Sequence, residues 1–140
     1  MYPQRQSALL PALYVAQGEI GYLPDKALDE VALLLDLPPA EVGSVASFYT
    51  MFHRQPVGKH VISLCTNLSC HLLGADTLAG YLSKELGIGN GETTPDGKVT
   101  LELVECIGAC DFAPALQVNG KLYKSMTTET VDKLIEELAR

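Results

Sequence analysis

The four cysteines of this chain fall in two tight pairs, Cys65-x4-Cys70 and Cys106-x3-Cys110, and each pair follows a run of strand-forming residues. If all four thiols serve one site, the fold must carry two strand ends that are distant in sequence to the same edge, and few topologies do so. On spacing alone several chemistries stay open: an iron-sulfur cluster, structural zinc, disulfides or a thiol redox pair, and inert core packing. Zinc sites accept cysteines a few residues apart, although neither pair has the common C-x2-C form. A Rieske centre needs two Cys-His pairs, and only Cys70-His71 comes close. Residues Met1 to Ser7 lead into no signal-peptide pattern, so the thiols are expected in a reducing cytosol. No catalytic acid, base or nucleophile constellation stands out elsewhere, which points to a chain that moves electrons rather than rearranging bonds.

With 140 residues, 47% of them hydrophobic, there is enough chain for one compact domain or a small domain with an appendage. The formal charge of -7, with no Lys/Arg cluster, argues against nucleic-acid binding. The longest apolar run, Val31 to Leu35, is far short of the roughly 20 residues that span a bilayer, so direct membrane insertion is not expected. The Pro/Gly break at Gln55-Pro56-Val57-Gly58 predicts a helical N-terminal unit over residues 1–56 and a mixed unit over 57–140. In the first, Leu9, Leu10, Leu13 and Ala16 mark a helix ending around Gly18 to Gly21. A second starts at Pro24 with Asp25 in its first turn and Leu28, Val31, Ala32 and Leu35 as its stripe. Pro38 and Pro39 start a third, with Val42, Val45, Ala46 and Tyr49 inward and Phe48 and Phe52 extending the apolar surface. His53 reads as a surface or packing residue.

Beyond the break, His60 to Cys65 is a β-branched, apolar run expected to form a buried strand. Thr66 to Ser69 form a loop, and one helix runs from about Cys70 to Gly87 with Ala75, Leu78, Ala79, Leu82 and Leu86 on a face. That places Cys70 at a helix N-terminus, where unpaired N–H groups stabilise a thiolate. After the Pro95-Asp96-Gly97 turn, Val99, Leu101 and Leu103 alternate with Thr100 and Glu102, giving a strand with one wet face that leads to the second cysteine pair. Gly108 lets that loop bend. Asn119-Gly120 joins Ala115–Val118 to Lys121–Tyr123 as a type I′ hairpin, and Thr127 caps a last helix with Val131, Leu134, Ile135 and Leu138 inward. The predicted class is α/β, in the order β-α-β-loop-β-β-α. A right-handed crossover would leave both cysteine pairs at one sheet edge.

These residues and their order resemble the thioredoxin-like [2Fe-2S] subunit family of the NADH-oxidising module of respiratory complex I. The resemblance is carried by Ala46-Ser47-Phe48-Tyr49, Cys65-Thr66-Asn67-Leu68-Ser69-Cys70, Gly91-Glu92-Thr93-Thr94-Pro95-Asp96-Gly97 and Val104-Glu105-Cys106-Ile107-Gly108-Ala109-Cys110-Asp111 with Ala113-Pro114. It covers nearly the whole chain, as a short version of the family. It implies a thioredoxin-like fold, a [2Fe-2S] cofactor with Cys65 and Cys70 on one iron and Cys106 and Cys110 on the other, and a cis bond at Pro114. It also implies a direct partner that binds FMN and NADH, with which this chain exchanges electrons inside NADH:quinone oxidoreductase. Other iron-sulfur subunits of a cytoplasmic peripheral arm, attached to the inner membrane, would complete the assembly. The chain shows no G-x-G-x-x-G fingerprint, so nucleotide and flavin belong to the partner.

The same module in an NAD-dependent formate dehydrogenase, a hydrogenase or a bifurcating enzyme is the nearest alternative. A zinc-stabilised interaction module and a thioredoxin-like thiol oxidoreductase are readings of other classes, the latter poorly served by C-x4-C. No Lys or Arg lies between residues 60 and 83 or between 99 and 120, whereas Glu105 and Asp111 flank the second pair, so a low reduction potential is expected. His71 is expected to face solvent. Tyr14, Tyr22, Tyr49, Tyr81 and Tyr123 read as packing residues, and Glu136-Glu137 as a solvated face.

Overall fold

Proline and glycine set the helix boundaries in the first part of the chain. The computed structural model describes residues 2–139, and one compact unit ends at Pro56 while the other starts at Val57. After a 3-10 turn at Arg5–Ala8, helix α1 spans Leu9–Ile20 and is closed by Gly21, whose φ of 91° is left-handed and therefore suits glycine. Helix α2 covers Asp25–Leu35 behind Pro24, and α3 covers Pro39–Phe48 behind Pro38. In each case the preceding proline holds the extended backbone that opens a helix. Leu13, Leu23, Leu28, Val31, Val42 and Ala46 belong to the shared core.

The third stripe differs from expectation at its end. Phe52 is buried, but Phe48 is 78% exposed and Tyr49 is also exposed, because α3 stops at Phe48 and Tyr49 turns extended. The chain beyond it is fixed by Gln17, whose amide donates to Met51 O at 2.9 Å and accepts from the His53 N–H at 2.7 Å. His53 itself is half-buried.

The second unit is built on a five-stranded sheet of order β2-β3-β1-β4-β5. Its strands are β1 His60–Cys65, β2 Glu92–Thr93, β3 Val99–Val104, β4 Leu116–Val118 and β5 Lys121–Tyr123. β1 and β3 are parallel, and every other pairing is antiparallel. The period of two puts Ile62 beside Leu101 and Val118, and Leu64 beside Leu103 and Leu116, on one face. That face packs with Leu78 and Leu82 of helix α5 (Ala75–Leu86) and Val131 and Leu134 of helix α6 (Thr128–Ala139).

The hairpin after β4 has Asn119 at φ 48° and Gly120 at φ 81°, as a type I′ turn demands. Asn119 also hooks the hairpin onto β1, accepting from the Val61 N–H at 2.8 Å and donating to Lys59 O at 3.0 Å. Thr127 caps α6 through its hydroxyl, which accepts from the Thr130 N–H at 3.4 Å.

Three sequence expectations are corrected. The single helix after the first cysteine pair is two: α4, Leu68–Leu72, and α5, separated by Leu73 and by Gly74 at φ 97°. A left-handed residue cannot continue an α-helix, and its N–H instead closes α4 onto His71 O. Strand β2 is additional, so the order reads β-α-α-β-β-loop-β-β-α. The expected wet face of β3 is closed at Thr100, which is 2% exposed. Its hydroxyl oxygen accepts from the buried Gly58 N–H at 2.7 Å and lies 2.7 Å from Thr93 Oγ1.

A candidate metal centre at the carboxyl edge of the sheet

Both cysteine pairs leave the sheet at the same end because β1 and β3 are parallel and in register, with Cys65 opposite Val104. Beyond that rung the two chain segments stay tied. The Thr66 N–H and hydroxyl donate to Val104 O at 2.9 and 3.2 Å, and the Cys65 thiol donates to Glu105 O at 3.2 Å. Asn67 donates from Nδ2 to Glu105 Oε2 at 3.4 Å, while its Oδ1 accepts the Leu68 N–H at 2.8 Å and caps α4. Cys70 is the third residue of that short helix. On the other side, the Cys65 N–H donates to Ala115 O at 3.2 Å, just past the cis Ala113–Pro114 bond.

The four thiols have unequal surroundings. Cys65 and Cys70 are 3% and 2% exposed and cluster with Ala75, against which Ile107 and Ala113 pack; Cys106 and Cys110 are open to solvent. All four are free in the structure. Cys106 and Cys110 sit on a loop turned by Gly108 at φ 71°, whose N–H donates to Cys106 Sγ at 3.4 Å.

Burial pushes the Cys70 thiol above its ordinary pKa; a bond from the Ala115 backbone opposes this, and contact with Cys65 and the charge of Cys110 raise it further. The expected position of Cys70 at a helix N-terminus is met, in the first turn of α4 after the Asn67 cap. Burial and the neighbouring thiols act there against the charged form of the free thiol. Among the described residues no three His, Cys, Asp or Glu side chains close around one point as a single metal ion would require.

Charge around the site also differs from the linear reading. The fold returns Lys124 to the second loop, with Nζ 3.9 Å from the centroid of the Phe112 ring, and the Ser125 N–H donates to Phe112 O at 2.8 Å. A cation fourteen positions beyond Cys110 thus sits against the residues that follow it, which weakens the argument for a low potential from missing cations. Nothing in the sequence spacing could locate it. His71 is exposed as expected, and its Nδ1 pairs with Asp76 at 2.9 Å.

The sequence profile of the thioredoxin-like [2Fe-2S] ferredoxin family matches residues 1–139. This chain belongs to that family. An NADH-quinone oxidoreductase subunit of Rhizobium meliloti is 46% identical over 135 residues, covering 96% of this chain and 80% of the relative. Its counterpart in Mycobacterium bovis, also named as a subunit of NADH-quinone oxidoreductase, is 45% identical over 98% of this chain, which spans only 54% of that relative's length. In solved structures, an NAD+-reducing [NiFe]-hydrogenase in the H2-reduced state shares the fold with TM-score 0.80 and 30% identity, over 94% of this chain and 22% of that one.

The donor set fits the cofactor that names the family. Iron-sulfur clusters of the [2Fe-2S] type are held by four cysteine thiolates, and the structure supplies four free thiols on two loops tied together at one sheet edge.

Proposed function

We propose that this thioredoxin-like [2Fe-2S] ferredoxin is the electron-transfer subunit of an NADH:quinone oxidoreductase. Cys65 and Cys70 hold the inner iron, and Cys106 and Cys110 hold the outer one. When bound, the cluster supplies a one-electron carrier whose coordination asks for neither an acid nor a base from the protein. The chain's own residues do the rest. The β1–β3 register delivers both thiol pairs to one edge, Ala75, Ile107 and Ala113 pack with the buried Cys65 and Cys70, and the outer pair is open to a partner at the surface.

The observation that carries this reading is the tied pair of strand ends, with Cys65 opposite Val104 and Thr66 bonded across to it. A thiol oxidoreductase would need one reactive pair rather than two pairs joined in this way. In the assembly the direct partner is the FMN- and NADH-binding subunit, and the complex forms a peripheral arm on the cytoplasmic membrane face. Consistently, no helix among the described residues is long and apolar enough to cross a membrane. The quinone-linked host is favoured over a hydrogenase by identities of 46% and 45% against 30%.

The test is spectroscopic. Anaerobically purified protein should show visible absorption, no EPR signal as isolated, and one paramagnetic signal after dithionite. Cys65→Ser and Cys106→Ser should each abolish or reshape that signal. A colourless protein with one zinc, or a signal unchanged in both variants, refutes the assignment.

A further inference from the structure

Asn67 engages both thiol-bearing loops at once. One end of its amide accepts the Leu68 N–H at 2.8 Å and starts the helix that carries Cys70; the other donates to the Glu105 carboxylate at 3.4 Å, next to Cys106. The other hydrogen bonds from the Cys65–Cys70 segment to the segment beyond β3 end on backbone groups of Val104, Glu105 and Ala115, so among the described residues this contact is the one that joins two side chains beyond the strand end. Capping alone does not explain the residue type, since Ser, Asp or Thr would accept the Leu68 N–H as well. A group with an acceptor at one end and a donor at the other is what the double contact needs, and a primary amide provides it.

The geometry points to Asn67 as a positioning residue that braces the Cys70 loop against the Cys106 loop and fixes the Glu105 charge beside the outer sulfurs. This inference rests on the [2Fe-2S] reading and concerns how long the cluster is kept and how readily it is reduced. The outer pair is solvent-exposed and rides on a loop turned at Gly108, so it is the half with most to gain from a brace.

The test uses the full chain, loaded with iron and sulfide under anaerobic conditions. Asn67→Asp keeps the cap but sets two carboxylates face to face. Loss of visible absorption to a chelator should then quicken about fivefold, in line with one exposed polar contact, and the EPR-monitored potential should fall. Adding Glu105→Gln to Asn67→Asp restores a donor opposite an acceptor, and should return the release rate to within about twofold of wild type. A purely local cap would give wild-type behaviour in Asn67→Asp, and that result overturns the inference. So does a double variant that releases as fast as the single one. A wild-type chain that takes up no cluster removes the functional reading and this inference together, whereas a normal wild-type cluster with an indifferent Asn67→Asp removes only the brace.

Discussion

Replacing Thr100 by valine tests whether the second face of β3 is closed, because valine copies the shape of threonine and deletes only the hydroxyl chemistry. In the structure Thr100 Oγ1 accepts the buried Gly58 N–H at 2.7 Å and pairs with Thr93 Oγ1 at 2.7 Å. Losing the bond costs about 1 kcal/mol, and stranding a buried N–H adds about 1–3 kcal/mol. Burying a methyl in place of a hydroxyl returns somewhat under about 1 kcal/mol. The expected net loss is about 2 kcal/mol, or about a 30-fold rise in opening of the unit. Native-state amide exchange of Ile62 and Leu101, followed by NMR, reads that change within the second unit alone, which a global melt of a two-unit chain would blur. Thr100→Ser keeps the oxygen and should cost about 1 kcal/mol or less. Exchange in Thr100→Val within about twofold of wild type, or a serine variant worse than the valine one, would refute the buried hydrogen-bonded role and return β3 to a half-wet strand.

Two further outcomes follow from contacts in the same unit. Tyr81 donates to Asp132 at 2.6 Å, and that bond, before desolvation and nearby carboxylates, raises its phenol from 10.0 to about 12. The folded value lies above the unfolded one, so the stabilisation is complete below pH about 10 and fades as pH rises toward about 12; the gap in unfolding midpoint between wild type and Tyr81→Phe should shrink over that window. Gly58 approaches β3 so closely that an added Cβ would lie 2.9 Å from backbone atoms of Lys98 and Val99. Backbone cannot swing aside as a side chain can, so Gly58→Ala should cost at least about 1–3 kcal/mol in thermal or denaturant unfolding.

Much of this fold is written in local signals, and the departures from them share a cause. Pro24, Pro38 and Pro39 announce helices, Asn119-Gly120 announces the hairpin, and the two cysteine pairs mark the site. The break at Gly74 is invisible because Ala75, Leu78 and Leu82 carry on an apolar spacing that the preceding Leu72 and Leu73 do not contradict, although both of those side chains are exposed. Strand β2 has two residues and exists only through its pairing with β3. Thr100 reads as a wet position because polarity stands for exposure until a partner such as the Gly58 N–H is known. Lys124 escapes for the same reason: its place against Phe112 is a tertiary fact. In each miss the deciding neighbour is far away in sequence or is a backbone group, and neither leaves a mark in residue periodicity.

The cysteine site itself depends on a choice made elsewhere in the sheet. Ile62 and Leu64 point to the face shared with Leu101 and Leu116 and packed by α5 and α6, so alternation sends Val61, Ser63 and Cys65 to the opposite face. Moving β1 along β3 by one residue would turn Ile62 and Leu64 out of that core, each now fully buried, at a cost of about 1.5–3 kcal/mol per side chain. Cys65 would change faces in the same movement, and Thr66 would lose Val104 as its partner. Aliphatic packing on one side of the sheet therefore aims a thiol on the other. The proposed cluster site needs no separate device to bring its two halves to one edge; parallel pairing in a register enforced by leucine and isoleucine does it, and the ties from Thr66 and Asn67 hold the two segments beyond the strand ends.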